Sequence, residues 1–360
     1  MPFTFGLVGL PNAGKTTIFN ALAEAAAAVA PYPFCTVEPN VAVVQVPDPR
    51  LPELARLTHA SQAVPAHVEF MDVAGLVEGA SSGEGLGNTF LGTIRAVDAV
   101  LHVVRCFADD TVSHEGPVDP AHDVGVVETE LTLADLEIAE RRMDKVRREL
   151  RVNPHDTPDD VHAIEKVLPI LAEGKPARSA DLSPEEADSV KAYGFLTAKP
   201  LLLVANVGED TPPGCEEAVR ALAEERCAGC VTISGQLEAE IAQLAEGDRA
   251  DYLDAMGLSG SSLGRLITQA CRALRLCIFY TVAHEITTAW IAREGITAIG
   301  AAGMIHSDMA EGFVRADVVS YADLTAAGGF SEAKAAGALR SEGRDGPVGD
   351  GDVVYIHFHH

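Results

Sequence analysis

The stretch GLPNAGKT, residues 9–16, decides the fold of this chain. It fits the phosphate-loop pattern G-x-x-x-x-G-K-[ST], and it stands between an apolar strand, residues 3–8, and a helix that begins near Lys15. The two glycines of the pattern let main-chain N–H groups face the phosphates of a nucleotide, while Lys15 reaches the β- and γ-phosphates and Thr16 ligates Mg²⁺. Strand, loop and helix in this order predict a P-loop nucleotide-binding domain.

Two further elements follow at the distances that such a domain requires. Asp72-Val73-Ala74-Gly75 ends the next hydrophobic strand, where Asp72 is placed to hold the Mg²⁺ shell through water and the N–H of Gly75 to sense a γ-phosphate. Between the two elements, the Pro-bracketed loop PFCTVEPN contains Thr36. We expect Thr36 to give Mg²⁺ a second hydroxyl; the alternative is an ordinary loop residue.

The hydrolytic group is less clear from the residues. Leu76 follows Gly75, at the position where Ras-type proteins have a glutamine that orients the attacking water, and leucine cannot orient water. His114, in the loop after the third strand, is a candidate catalytic or positioning group, against the alternative of a solvated loop histidine. Asn12 is a candidate contributor to a K⁺ site beside the phosphates.

The stretch LLLVANVGED, residues 201–210, indicates which base the domain holds. G proteins clamp guanine with Asn-Lys-x-Asp, whereas this strand ends in Asn206-Val207-Gly208-Glu209. Val207 replaces the lysine that packs on the base, and Glu209 is too long for the aspartate geometry. Adenine offers an amine donor and an N1 acceptor, which Asn206 or the neighbouring backbone can pair, so the site favours adenine.

Apolar strands alternate with helical stretches over the first 125 residues, which predicts a mostly parallel sheet with flanking helices. Two more strands, residues 200–205 and 230–234, come only after a long insertion. The insertion carries amphipathic spacing that predicts two packed helices, at Val127, Leu131, Ala134, Ile138, Ala139, Met143, Val146, Leu150, Val161, Ile164, Leu168 and Leu171. Ser183-Pro184-Glu185-Glu186 predicts a capping box for a third helix.

The last part of the chain has a different pattern. It predicts a small α+β domain with a helix over residues 298–305 and a final alternating strand over residues 353–358. The Gly- and Ala-rich stretch 326–351 is interpreted as a loop region of that domain.

Charge and composition limit the partners. The formal charge of −26 opposes general attraction to DNA or to anionic membranes, and no apolar run reaches the roughly 18 residues of a membrane span. Arg141, Lys145 and Arg148 form a local basic stripe on one helix face, which indicates RNA contact unless it is a solvated face paired with Glu140 and Glu149. Seven scattered cysteines and a start that leads straight into a strand predict a cytoplasmic protein with free thiols.

The chain resembles a known family, the YchF / Obg-like ATPases, along nearly its whole length. The resemblance rests on GLPNAGKTTIFNAL, PYPFCTVEPN, DVAGLVEGASSGEGLGN, HVVRCFADD, VANVGED, GMIHSDMAEGFVRADV and GDGDVVYIHF. It implies an α/β P-loop NTPase G domain over residues 1–125 and 198–276, interrupted by a helical coiled-coil arm over 126–197. A TGS domain of β-grasp fold follows over residues 277–360.

The resemblance also implies Mg²⁺-dependent ATP hydrolysis and association with ribosomes, on the large subunit or the 70S particle, through the arm and the TGS domain. It places ATP binding on Asn12, Ala13, Gly14, Lys15, Thr16 and Thr17, and metal ligation on Thr16 and Thr36. We expect Asn206, Val207, Glu209 and the backbone of Ser234 to complete the base site, although Gln236 stands where the family commonly has lysine. Two alternatives stay open: a switch read by a partner, and an Obg-type GTPase acting in ribosome assembly.

Overall fold

The structure is a computed structural model that describes residues 2–29, 40–73, 86–108, 117–152, 160–258, 260–283 and 285–359. It divides into two compact units. The first unit comprises Met1–Val44 and Glu69–Ala273, and the second comprises Gln45–Val68 and Leu274–His360.

The strands, in chain order, are β1 Thr4–Val8, β2 Val41–Gln45, β3 Gln62–Val64, β4 His67–Asp72, β5 Ala99–Cys106, β6 Leu201–Val207, β7 Gly229–Ile233, β8 Leu276–Ala283, β9 Ile286–Arg293, β10 Phe313–Ser320, β11 Arg340–Glu342 and β12 Asp352–Phe358. The helices are α1 Lys15–Val29, α2 Arg50–Leu57, α3 Leu86–Ala96, α4 Pro120–Val152, α5 Val161–Ala172, α6 Pro184–Lys191, α7 Cys215–Glu225, α8 Gly235–Gln243, α9 Glu246–Ala255, α10 Ser262–Ala273, α11 Ala298–Ile305, α12 Ser307–Glu311, α13 Tyr321–Ala327 and α14 Phe330–Ala335.

The first unit is built on a six-stranded sheet in the order β2-β4-β1-β5-β6-β7. β1 pairs in parallel with β4 and β5, and β5, β6 and β7 continue in parallel. Every residue of β5 is buried, as expected for a strand covered by helices on both faces. The carboxyl ends of β1, β4, β5 and β6 therefore meet at one edge of the sheet. This α/β arrangement confirms the predicted fold class.

The inserted helices pack in two places rather than along one seam. Val127 and Leu131, in the first half of α4, belong to the same core as Ile94 and Val100 of the sheet region. Met143, in the second half, packs with Ile164 and neighbouring residues of α5. Because α4 begins at Pro120, six residues before the predicted arm, it joins the sheet core and the arm in one continuous helix.

The capping box at the start of α6 was predicted correctly. Ser183 accepts a hydrogen bond from the N–H of Glu186, and the Glu186 side chain accepts one from the N–H of Ser183, which confirms the capping box of α6. Asp135, fully buried on α4, accepts hydrogen bonds from the N–H groups of Leu196 and Thr197, and so fixes the chain as it leaves the arm.

The second unit is a mixed sheet in the order β11-β10-β12-β8-β9-β3, with α11 and α12 packed on one face. The predicted helix over residues 298–305 is confirmed, and the final strand begins at Asp352. The interpretation of residues 326–351 as loop was wrong in part, because α14 and β11 lie within that stretch. Alanines and a lysine in α14 favour a helix despite the surrounding glycines.

Residues 45–68 are the main departure from the expected division of the chain. They were assigned by sequence to the nucleotide-binding domain, whereas their contacts group them with the second unit. Gln62 pairs with Ile286 in the parallel β3–β9 ladder, and the guanidinium of Arg50 lies 2.6 Å from the carboxylate of Asp350. Partners more than 200 residues apart leave no local signal in the sequence.

Candidate nucleotide-binding site

The phosphate loop lies between β1 and α1 and has the backbone conformation of an anion-binding turn. Gly9 and Gly14 have φ angles of 156° and 91°, and Asn12 adopts a left-handed φ of 61°. A Cβ atom on Gly9 would lie 2.5 Å from the carbonyl oxygen of Val103 on the neighbouring strand β5. A glycine is therefore required at position 9, because the loop crosses directly over the adjacent backbone.

Lys15 is the first residue of α1 and is only 6% exposed. Its ammonium donates a hydrogen bond to the carbonyl of Leu10 across the loop, at 2.8 Å. Burial lowers the pKa of Lys15, and the nearby carboxylate of Asp72 partly offsets that effect. A buried cation in the phosphate loop fits the binding of a phosphate anion, because the negative charge of the phosphate offsets the cost of burying the ammonium.

Thr16 and Asp72 come together at the carboxyl end of the sheet. The Thr16 hydroxyl donates to a carboxylate oxygen of Asp72 at 2.8 Å, although the two residues are 56 positions apart. A hydroxyl and a carboxylate are hard oxygen groups of the kind that Mg²⁺ prefers. The donor set therefore fits the predicted metal.

Asn206 joins two segments of the site by its side chain. Its Nδ2 donates to the carbonyl of Ala13 at 2.9 Å, and its Oδ1 accepts from the N–H of Gly235 at 2.9 Å. The residue is 4% exposed, and a Cβ atom on Gly14 would overlap its amide nitrogen. Both ends of the amide thus bind main chain, so the contribution that geometry assigns to Asn206 is to hold the phosphate loop against the start of α8.

An open cavity of about 880 Å³ extends from the phosphate loop along the ends of β5 and β6. The residues around it come from four segments: Asn12, Gly14, Lys15, Thr16 and Thr17; Phe107 and Ala108; Asn206 to Asp210; and Gln236. The phosphate-loop residues and Thr16 thus share one cavity with the residues at the ends of β5 and β6, and its volume is within the range of small-molecule sites.

Phe107 is the site residue that sequence reasoning missed. It follows β5 directly, and its Cε1 lies 4.0 Å from where a Cβ of Gly14 would stand. On the other side, a Cβ on Gly208 would lie 2.9 Å from the Cβ of Phe107. The ring is thus held between the phosphate loop and the end of β6, in a position suited to stacking on a base. An aromatic residue directly after a buried strand was the available signal.

The other predicted site residues are distributed unevenly. Val207 and the exposed Glu209 line the cavity. Ser234 does not line it within the described residues; its hydroxyl accepts from the N–H of Leu237 and caps α8. The remaining predicted positions lie outside the described residues: Thr36, Gly75, Leu76 and His114.

Comparison with known proteins decides the family. The family of 50S ribosome-binding GTPases matches residues 4–145, and the YchF-GTPase C-terminal family, described as a protein of unknown function, matches residues 276–359. The ribosome-binding ATPase YchF of Haemophilus ducreyi is 43% identical over 361 residues, which cover 99% of this chain and 99% of that protein. The chain belongs to the YchF family.

Further YchF proteins agree with this assignment. The ribosome-binding ATPase YchF of Bacillus subtilis is 42% identical over 364 residues, covering 99% of this chain and all of that protein. The solved structure of the Schizosaccharomyces pombe YchF GTPase superposes with a TM-score of 0.86 at 30% identity, over 99% of this chain and 97% of that one. The resemblance to the YchF family inferred from sequence is thereby confirmed.

Within the described ranges, no helix of this YchF-family chain combines the length and the apolar composition that crossing a bilayer requires.

Proposed function

We propose that this chain is an ATPase that binds ATP with Mg²⁺ and prefers it to GTP. The observation that carries the proposal is the end of β6, where Val207 and the exposed Glu209 line the cavity in place of a lysine and an aspartate. At the clamp position stands Glu209, whose longer side chain does not match the aspartate geometry that accepts from both guanine N1–H and the 2-amino group. The relatives from H. ducreyi and B. subtilis carry the name ATPase, which supports the same base.

The base is recognised by a flat apolar contact and by main-chain groups. Phe107 supplies the stacking surface, and Asn206 is engaged with Ala13 and Gly235, so the polar edge of adenine is left to the backbone of the turn after β6. A pocket whose polar groups are paired by one base and left unpaired by another discriminates strongly between them. In the same proposal, the backbone of Ser234 also contacts the base.

ATP hydrolysis is proposed to take place at the phosphate loop. Lys15 and the main chain from Asn12 to Thr17 bind the phosphates, and Thr16, Thr36 and water held by Asp72 bind the metal. Bound there, Mg²⁺ would supply positive charge against the negative charge of phosphoryl transfer. The N–H of Gly75 senses the γ-phosphate and His114 is the candidate that orients water, since Leu76 cannot. Asn12 is the proposed contact for K⁺.

The proposed partner is the ribosome, on the large subunit or the 70S particle. Residues 141–151 of the arm hold six Arg and Lys against two Asp and Glu, in a chain whose net charge is −26. Arg141 and Lys145 have side chains 68% and 67% exposed, with contacts to Glu137 and Glu149 on their own helix at 3.4 Å and 3.7 Å. Such exposed pairs are weak and are readily exchanged for RNA phosphates. The second unit, proposed to be a TGS domain, offers a further docking surface, and a ribosomal partner places the chain in the cytoplasm.

Calorimetric titration with non-hydrolysable ATP and GTP analogues in Mg²⁺ tests the base preference. Tighter binding of the ATP analogue is expected, and a GTP analogue that binds tenfold more tightly would overturn the proposal. The same titration decides for or against the second candidate, an Obg-type GTPase acting in ribosome assembly. The curated relatives, which are named ribosome-binding ATPases, do not favour that candidate.

Sedimentation with ribosomes separates a simple enzyme from a switch. We expect the ATP-analogue state to co-sediment with the large subunit or the 70S particle, and ribosomes to raise the slow intrinsic rate. The absence of co-sedimentation in every nucleotide state, together with an unchanged rate, would rule out the ribosomal switch and leave the ATPase.

A further inference from the structure

Thr211 lies in the turn that follows β6, and its hydroxyl makes two hydrogen bonds to one residue. The N–H of Gly208 donates to Thr211 Oγ1 at 2.9 Å, and the same hydroxyl donates to the carbonyl of Gly208 at 2.9 Å. A Thr side chain that bonds nearby main chain in this way fixes the turn locally. The conformation of residues 208–211 therefore depends on one hydroxyl group.

Gly208 transmits this constraint to the aromatic wall of the cavity. A Cβ atom at position 208 would lie 2.9 Å from the Cβ and 3.7 Å from the Cγ of Phe107, so the glycine packs flat against that residue. Phe107 in turn reaches toward Gly14 of the phosphate loop. A series of contacts thus leads from the Thr211 hydroxyl through Gly208 to Phe107 at the wall of the cavity.

The hydrogen bonds to Thr211 also limit which hydrogen-bond donors of the turn are available to a base. The N–H of Gly208 is already donated, so the donor that N1 of adenine needs has to come from another group of the turn. Gly208, Glu209 and Asp210 line the cavity, and among the described residues Thr211 does not. An effect of Thr211 on the nucleotide therefore has to act through the position of these three residues.

We propose that Thr211 is a positioning residue for base recognition. Its hydroxyl holds residues 208–210 at the spacing from Phe107 that accepts adenine, and its hydrogen bonds are to Gly208 rather than to a residue of the phosphate loop. The inference rests on the proposed ATP site and adds a residue that determines its specificity. A hydroxyl is the required feature, so serine substitutes for threonine and valine, of equal shape, does not.

The experiment compares Thr211→Val and Thr211→Ala with Thr211→Ser, in the full chain. Thr268→Val is the matched control, because its hydroxyl donates to the carbonyl of Gly264 within α10 at 2.8 Å and Thr268 does not line the cavity among the described residues. KM and kcat for ATP, the Kd of non-hydrolysable ATP and GTP analogues, and the Kd of tripolyphosphate are measured for each variant.

Loss of the hydroxyl is expected to raise KM for ATP about tenfold, to leave kcat within about twofold, and to reduce the ATP-to-GTP affinity ratio about tenfold. Thr211→Ser, Thr268→Val and the affinity for tripolyphosphate should stay near wild type. Thr211→Val and Thr211→Ala with an unchanged affinity ratio would overturn the inference, and so would an equal loss of tripolyphosphate binding. A wild-type protein without ATP preference counts against the proposed function; the valine-to-serine difference for whichever nucleotide binds then still decides the role of the hydroxyl.

Discussion

The side-chain nitrogen of Asn206 lies 2.9 Å from the carbonyl oxygen of Ala13, 193 positions away in the chain. The bond is buried, and the other end of the same amide accepts from the N–H of Gly235. One amide therefore holds the phosphate loop, the end of β6 and the start of α8 in a fixed relation. The base end and the phosphate end of the cavity are coupled through this residue.

Replacing Asn206 by Asp removes the donor to Ala13 and sets a carboxylate against a carbonyl oxygen, while the acceptor for Gly235 is kept. We expect a loss of about 2–3 kcal/mol in unfolding free energy and at least about tenfold weaker binding of an ATP analogue. Urea denaturation and calorimetry measure the two effects. Asn20→Asp, on the exposed face of α1, is the control and should change neither. Unaltered binding by Asn206→Asp would show that the bond to Ala13 is dispensable.

Phe107 is predicted to bind the base by its ring. Phe107→Ala should weaken binding of the ATP analogue by about 1–3 kcal/mol, or roughly 5- to 150-fold in Kd. Stacking of a base on an aromatic face contributes that much binding free energy. Phe107→Tyr retains the face and should bind within a few-fold of wild type. Tripolyphosphate, which has no base, should bind all three proteins alike; a matching loss for tripolyphosphate would mean that the ring supports the loop instead.

Thr16 is predicted to ligate Mg²⁺ together with the shell that Asp72 holds. Thr16→Val should abolish the Mg²⁺-dependent part of ATP-analogue binding, whereas Thr16→Ser keeps the hydroxyl and should retain it. Titration of the nucleotide with and without Mg²⁺ measures this difference directly. If valine and serine variants respond equally to the metal, the hydroxyl at position 16 is not a ligand.

Arg50 is predicted to fasten residues 45–68 to the rest of the second unit. Its guanidinium bonds to Asp48 and Asp350, and its side chain is 25% exposed. Arg50→Met should lower the unfolding free energy of this unit by about 2 kcal/mol, since two carboxylates lose their partner. Trp290, the single tryptophan of the chain, lies in β9 and reports this unit by its fluorescence.

Arg275→Met is the control for that experiment. Arg275 pairs with Glu294 at 3.2 Å, but its side chain is 82% exposed. Its removal should therefore cost less than about 0.5 kcal/mol. Equal destabilisation by the two substitutions would indicate that the Arg50 contacts contribute no more than a surface ion pair.

Asp160 gives the arm a pH-dependent stability. Paired hydrogen bonds from Arg142, at 2.7 Å each, and a further one from the Tyr193 hydroxyl lower the pKa of Asp160 to about 2. A lowered carboxylate pKa stabilises the folded state above the unfolded-state pKa near 4, and the contribution disappears as the pH falls toward about 2.

Asp160→Asn should therefore destabilise the arm by on the order of 2 kcal/mol at pH 6 and by much less at pH 2.5. Urea denaturation followed by circular dichroism at 222 nm measures the difference at each pH. Asp188→Asn is a control on exposed α6, with a surface contact to Lys191. A difference between wild type and Asp160→Asn that does not shrink on acidification would contradict the assignment.

The sequence by itself determined the elements whose signals are local. Three kinds of signal lie within about ten residues each: GLPNAGKT between a strand and a helix, five of the six strands of the first sheet, and the capping box at Ser183. The structure has each of them, together with β2, which was not predicted. The proposed base preference also rests on neighbouring residues, because Val207 and Glu209 stand where the guanine clamp requires lysine and aspartate.

The tertiary structure alone decided which distant segments meet. Asn206 was expected at the base and is bonded to Ala13 and Gly235; Phe107 was overlooked and lies between Gly14 and Gly208. Residues 45–68 belong to the second unit, although the residues on both sides of them in the sequence belong to the first, and their strand β3 pairs with β9. Periodicity and motifs record only near neighbours, whereas these contacts join residues 29 to 300 positions apart. They are fixed by packing and main-chain hydrogen bonding once the sheets have formed.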